Sequence, residues 1–190
     1  MSMLDVLSSA KKLYESHQDL NQFAKWPDDL KNSNLQPRDL SVTKFVENFS
    51  LSGTSQTNPL IKAIKRNINL AHWKRTYNSE EVGFDFLNKY GYYELFGPSG
   101  HFYSTQLRGF IGFWGNGIKY DWHSHEAEEI YLILGGSALF RSKEEENIVK
   151  PNETQTYSSW QSHSMITDSE SILTFVLWRG SGIYKSPKFD

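Results

Sequence analysis

Residues Lys119 to Gly136 read "KYDWHSHEAEEIYLILGG". Two histidines, three glutamates and two tyrosines lead into an unbroken apolar run that stops at a glycine pair. Such a strand belongs in a core, so its titratable start needs a reason. His123, His125, Glu129, Tyr131 and Ile133 are all odd-numbered, and wherever the backbone is extended they point the same way, while Ile130, Leu132 and Leu134 take the opposite face. A solvated rim would scatter its polar groups. Groups converging at one end of a strand read instead as a ligand set inside a barrel.

The chain has no cysteine, which excludes disulfides, thiolate metal sites and cysteine nucleophiles, so a metal must take nitrogen and oxygen ligands. Neutral imidazole and carboxylate suit a divalent first-row ion, and a shell of three histidines and one carboxylate leaves positions open for substrate. His123, His125 and Glu129 need a third imidazole from elsewhere. The candidates are His17, His72, His101 and His163. Of these, only His163 lies on a strand expected in the β half, "WQSHSMIT", with Met165 and Thr167 on its face. His17 and His72 fall in helical segments, and His101 sits in the connection "GPSGHF".

Working outward, the 190 residues suffice for a buried core, and 20 basic against 22 acidic side chains leave a net charge of −2. That balance makes no field to gather nucleic acid or an anionic membrane. No apolar run approaches the roughly 18 residues that span a bilayer, and the start lacks a secretory leader pattern, so a cytoplasmic protein with a small neutral or zwitterionic partner is expected. Aromatic residues are abundant, at 6 Trp, 10 Tyr and 12 Phe, enough for a dense core or a pocket for a cation.

The hydrophobic period divides the chain. Up to about Tyr90 it is helical, with Leu4, Leu7 and Tyr14 in one stretch and Ile61, Ile64, Ile68 and Ala71 in another. Asn58–Pro59 and Ser79–Glu80–Glu81 read as helix starts, Gly91 as a stop, and "SLSGTSQTN" (Ser50–Asn58) as a loop. After "FGPSG" the period becomes two. In "FYSTQLRGFIGF" the residues Tyr103, Thr105, Leu107, Ile111 and Phe113 share a face, and "SILTFVLWRG" is a second clear strand. The short acidic run Glu144–Glu146 reads as a hairpin tip. The expectation is a mainly β protein: an N-terminal helical extension over residues 1–95 packed on a small barrel over residues 96–190. The extension offers a cover for one mouth of the barrel, a homodimer contact, or both.

These residues match a family pattern. The chain resembles the cupins, whose first motif is written GX5HXHX3EX6G: Gly117, His123, His125, Glu129 and Gly136 stand at every fixed position. The resemblance implies a double-stranded β-helix, a small jelly-roll barrel. The second motif, GX5PXGX2HX3N, keeps His163, while Asn152, Ser158, Trp160 and Thr167 stand where Gly, Pro, Gly and Asn are usual. Together with a helical first half, "YDWHSHEAEEIYLILGG", "SWQSHSM" and "FVLWRG" look like the cupin-type dimethylsulfoniopropionate lyases.

That resemblance implies one divalent transition metal ion (Zn, Fe, Mn, Co or Ni) and cleavage of a sulfonium zwitterion to dimethyl sulfide and acrylate by removal of a proton next to its carboxylate. Tyr131 is then the expected general base, because a nearby cation favours its phenolate. Tyr120 is the second candidate; its even number takes it off the ligand face unless a bulge intervenes. Ring faces should meet the sulfonium, with Trp178 first and Trp122 and Trp160 after it. His123 is either a fourth ligand or a neighbour of the substrate. Two rival readings accompany this one: a metal-dependent dioxygenase on the same barrel, and a non-catalytic cupin that holds a small ligand.

Overall fold

The computed structural model describes residues 1–50 and 52–190; Leu51, inside the stretch read as a loop, lies outside them. The first half carries the helices α1 (Met3–Ser16), α2 (Gln18–Phe23), α3 (Val42–Glu47), α4 (Asn58–Arg66), α5 (Ser79–Val82) and α6 (Phe84–Lys89), with a short strand β1 (Lys31–Asn32) between α2 and α3. Strands follow: β2 (Tyr90–Gly97), β3 (Phe102–Tyr103), β4 (Arg108–Trp114), β5 (Lys119–Ser124), β6 (Glu128–Gly135), β7 (Ala138–Ser142), β8 (Glu146–Val149), β9 (Thr154–Tyr157), β10 (His163–Ile166), β11 (Ile172–Arg179) and β12 (Lys188–Phe189). They form a seven-stranded sheet in the order β1-β3-β2-β4-β11-β6-β9 and a five-stranded sheet in the order β12-β5-β10-β7-β8. Among the described residues no helix is long and apolar enough to cross a membrane.

The larger sheet is buried on both faces, which is why its strands read as nearly continuous apolar runs. Ile130, Leu132 and Leu134 of β6 and Leu173, Phe175 and Leu177 of β11 share one cluster with Val6 and Ala10 of α1 and Leu60 and Ile64 of α4. Tyr131 and Ile133 of β6 and Val176 and Trp178 of β11 belong to a second cluster inside the barrel, with Tyr120, Phe140 and Met165 of the smaller sheet. The helices therefore bury the outer face of the larger sheet. The barrel interior is left to aromatic and polar side chains.

Several local readings are corrected. Gly83, at φ 79°, ends α5, whereas Gly91 lies within β2, paired with Phe113. The left-handed conformation at Gly83 breaks the helix that Ser79 opens. The 95/96 division drawn from the sequence thus falls inside β2. The stretch "FYSTQLRGFIGF" is two strands, because Asp29 holds a turn between them: Ser104 Oγ donates to its Oδ1 at 2.6 Å and the Thr105 N–H to its Oδ2 at 2.8 Å. In α1 the buried stripe is Val6, Ala10, Leu13 and Tyr14, and Leu4 is exposed.

The turn geometry of the motifs survives where their residues changed. Gly117 and Gly136 have φ of 72° and 78°, and Asn152 and Trp160 hold 70° and 60°. A left-handed conformation is easy for glycine, tolerable for asparagine and strained for tryptophan. It lets the Trp160 N–H donate to the His125 carbonyl at 2.7 Å, tying the second motif to a residue of the first.

Candidate metal centre

The stretch that opened the reading is a corner, not one strand. β5 belongs to the smaller sheet and β6 to the larger, with His125 in the turn between them. Their polar ends therefore meet between the two sheets. His163 arrives from β10, paired directly with His123 of β5.

Donor atoms of His125, Glu129 and His163 all lie within 4.8 Å of one another, and all three residues are buried. Glu129 Oε2 is 3.1 Å from His125 Nε2 and 3.2 Å from His163 Nε2. Each ring is oriented by its other nitrogen: His125 Nδ1 lies 2.8 Å from the Ala127 carbonyl and His163 Nδ1 2.8 Å from the Gln161 carbonyl. A carbonyl oxygen only accepts, so Nδ1 carries the proton and Nε2 of a neutral ring turns its lone pair toward Glu129. Three acceptors then face one point. A divalent cation satisfies that arrangement, and the buried His163 Nε2 makes no hydrogen bond among the described residues, so the donor set fits a metal.

The carboxylate is ionised, as a metal ligand must be. Burial raises the Glu129 carboxyl, but the His125 charge, the His125 hydrogen bond and the nearby His163 ring outweigh it and hold the group well below the usual carboxylate range. Burial lowers His125, yet the Glu129 charge wins and its pKa stands above the ordinary value, so a cation bound at Nε2 would displace the proton that His125 otherwise shares with Glu129. His123 is pushed down to about 3 by burial and by His163. It stays neutral, with Nδ1 held on the Asp121 carbonyl at 2.8 Å and its ring 4.1 Å from that of His163. Its donor atoms are not in the close set, so it stands beside the centre.

A cavity lined by Tyr120, Tyr131 and Trp178 among others reaches the cluster at Glu129. Tyr120 enters because the β5–β10 register shifts between His163 and Met165, so that Tyr120 and His123 both face inward and stack at 4.0 Å. Its hydroxyl meets that of Tyr77 at 2.7 Å. Tyr131 projects from β6 as its parity requires. Burial raises the pKa of both hydroxyls, followed by the Glu129 charge for Tyr131 and by Tyr77 for Tyr120.

Trp178 pairs with Glu129 in register across β6 and β11 and donates its indole N–H to Glu129 Oε1 at 2.6 Å. Its ring also lies against that of His125 at 4.2 Å and beneath the Arg108 guanidinium at 5.5 Å. Trp122 and Trp160 are not brought to the cavity; they flank a separate surface depression with Lys143 and Asp190. The β5 bulge and the turn at Trp160 direct both rings outward. His17, His72 and His101 also lie apart from the centre, and His101 Nε2 accepts from the His72 N–H at 3.0 Å.

Sequence reasoning missed Tyr157, whose ring stacks on His163 at 4.0 Å, and the ion pair of Arg108 with the buried Glu94 at 2.9 Å near the cavity mouth. It also missed Trp114, on the barrel side of β4. The signal was present in "GFIGFW", where apolar residues occupy both parities, as they do in a strand buried on both faces.

The family described as dimethylsulfoniopropionate lyase matches residues 15–174. The chain belongs to the dimethylsulfoniopropionate lyase family. It is 33% identical over 112 residues to the dimethylsulfoniopropionate lyase DddQ of Ruegeria pomeroyi, a match spanning 58% of this chain and 56%, about half, of that relative. The crystal structure of that DddQ superposes with a TM-score of 0.93 at 26% identity, covering 98% of this chain and 95% of the other. A chain from crystal structures of the dimethylsulfoniopropionate lyases RdDddP and RnDddQII is 34% identical, with a TM-score of 0.96 over 99% of this chain and 97% of that one. A cupin-2 domain from Rhodospirillum rubrum, 15% identical, matches with a TM-score of 0.50 over 63% of this chain and 75% of its own. The cupin fold and the lyase family expected from the motifs are thus both found.

Proposed function

We propose that this chain cleaves dimethylsulfoniopropionate to dimethyl sulfide and acrylate by metal-dependent β-elimination, with Tyr131 as base. The observation that carries the reading is the presence of Tyr131 in the same cavity as Glu129, the carboxylate of the buried His125–Glu129–His163 set. A divalent ion (Zn, Fe, Mn, Co or Ni) held by those three residues would act as a Lewis acid for the substrate carboxylate and its developing enolate charge.

The chain's own residues do the rest. The Tyr131 oxygen, as phenolate, takes the proton from the carbon next to the carboxylate. The electron pair of that C–H bond becomes the new double bond, and the C–S pair leaves on sulfur as neutral dimethyl sulfide. Burial and the Glu129 charge oppose the phenolate, so the base depends on a compensating positive charge nearby. Tyr120 is the weaker candidate because its hydroxyl already engages Tyr77. Trp178 holds Glu129 Oε1, and His123 stays neutral beside the centre. The enclosing aromatic walls keep water from the transferred proton.

The test is headspace detection of dimethyl sulfide from metal-loaded protein given dimethylsulfoniopropionate without oxygen, alongside a chelated control. Release that persists anaerobically and stops on chelation is expected. A strict need for oxygen would turn the reading toward a dioxygenase.

A further inference from the structure

Trp114 ends β4 inside the barrel at 4% exposure and lines the same cavity as Glu129 and Tyr131. Its indole Nε1 has no hydrogen-bond partner among the described residues. Trp73 shares that condition, but it lies in the helical core, away from the cavity. Buried N–H groups are almost always paired, and an unpaired one at a binding cavity calls for a ligand acceptor.

The indole is deliberately seated. A Cβ built on Gly112 would lie 2.6 and 2.7 Å from Trp114 Cζ3 and Cη2, so this mid-strand glycine makes room for the ring despite its unfavourable backbone entropy. Tyr90, Tyr120 and Tyr131 hem it in at centroid distances of 5.5, 6.0 and 6.1 Å. We propose that the Trp114 N–H is a binding donor for a carboxylate oxygen of the substrate.

The inference rests on the lyase reading. Dimethylsulfoniopropionate has one strong hydrogen-bond acceptor, its carboxylate, and a sulfonium that needs ring faces rather than N–H groups. An unpaired donor on a side chain lining this cavity therefore serves the carboxylate end. Being neutral, the indole orients that end without adding a positive charge that would repel the sulfonium. Arg108, the guanidinium of the same cavity, is already matched by Glu94 at 2.9 Å.

Trp114→Phe keeps an aromatic ring and removes the donor. In metal-loaded protein, calorimetry with acrylate probes the carboxylate end alone, and calorimetry with trimethylsulfonium probes the cationic end alone. The variant should bind acrylate about 10-fold more weakly, keep trimethylsulfonium affinity within about twofold, and show a matching rise in KM for dimethylsulfoniopropionate. Unchanged acrylate affinity, or equal weakening of both probes, would overturn the proposal. If Trp114→Phe does not fold, Gly112→Ala, which displaces the indole, should give the same selective loss. Dimethyl sulfide release by the unmutated protein tests the lyase reading separately, so either can fail alone.

Discussion

Trp178 and Glu129 face each other in register across β11 and β6, joined by an indole N–H that donates to Oε1 at 2.6 Å. The bond leaves Oε2 toward His125 and His163, so a residue expected to receive the sulfonium also orients the carboxylate of the candidate metal site. Outer partners of this kind typically change metal affinity 10–100-fold. Trp178→Phe keeps most of the ring packing and loses the donor. Its divalent-metal Kd, measured by competition with a chromophoric chelator, should rise about 10-fold or more; an unchanged Kd would mean that Oε1 needs no partner.

The two tyrosines separate by substitution. A positioned general base contributes about 10²–10⁴-fold, so Tyr131→Phe should lower kcat by at least about 100-fold with bound metal retained. Tyr120→Phe should cost less and act partly through KM, because its hydroxyl is tied to Tyr77. Full turnover by metal-loaded Tyr131→Phe would remove Tyr131 from the mechanism.

His101 gives a pH dependence away from the candidate metal centre. Burial and the charges of His72 and Lys74 lower its pKa to about 4, against about 6.5 for an unfolded histidine. Between these values the unfolded chain binds more protons, so stability rises with pH and falls as pH drops from about 6.5 to 4. Glutamine keeps an acceptor for the His72 N–H and cannot titrate. Urea midpoints across this window should slope less steeply in His101→Gln than in the unmutated protein; identical slopes would assign the effect elsewhere.

Trp160 carries a left-handed backbone at φ 60° and is 51% exposed. That conformation costs a non-glycine residue about 1–2 kcal/mol. Trp160→Gly should therefore be more stable than Trp160→Ala by about 1 kcal/mol in equilibrium denaturation, since both lose the indole but only glycine relieves the strain. Both retain the N–H that meets the His125 carbonyl, so metal binding should persist in both. A less stable glycine variant would show that the turn is not strained.

Much of this site was legible because its parts are close in sequence. His125, Glu129 and Tyr131 lie within seven residues, and the spacing from Gly117 to Gly136 matches a motif whose two glycines both adopt positive φ. Trp114 was hidden by a different cause: the reading assumed one buried face per strand, and β4 has two. Tyr157 and Arg108 act through neighbours on other strands, and no local pattern announces such partners.

Local chemistry, then, determined the helical first half, the β second half, the exclusion of thiolate ligands and the alignment of Glu129 with Tyr131, since each depends on residue type and a period of two or 3.6. Tertiary structure decided what long-range pairing controls. The β5–β10 bulge turned Tyr120 inward against its parity, the β6–β11 register set Trp178 on Glu129, and the chain paths at Trp122 and Trp160 sent their rings outside. A single shift of register exchanges the two faces of a strand, and that choice is made by the packing of two whole sheets.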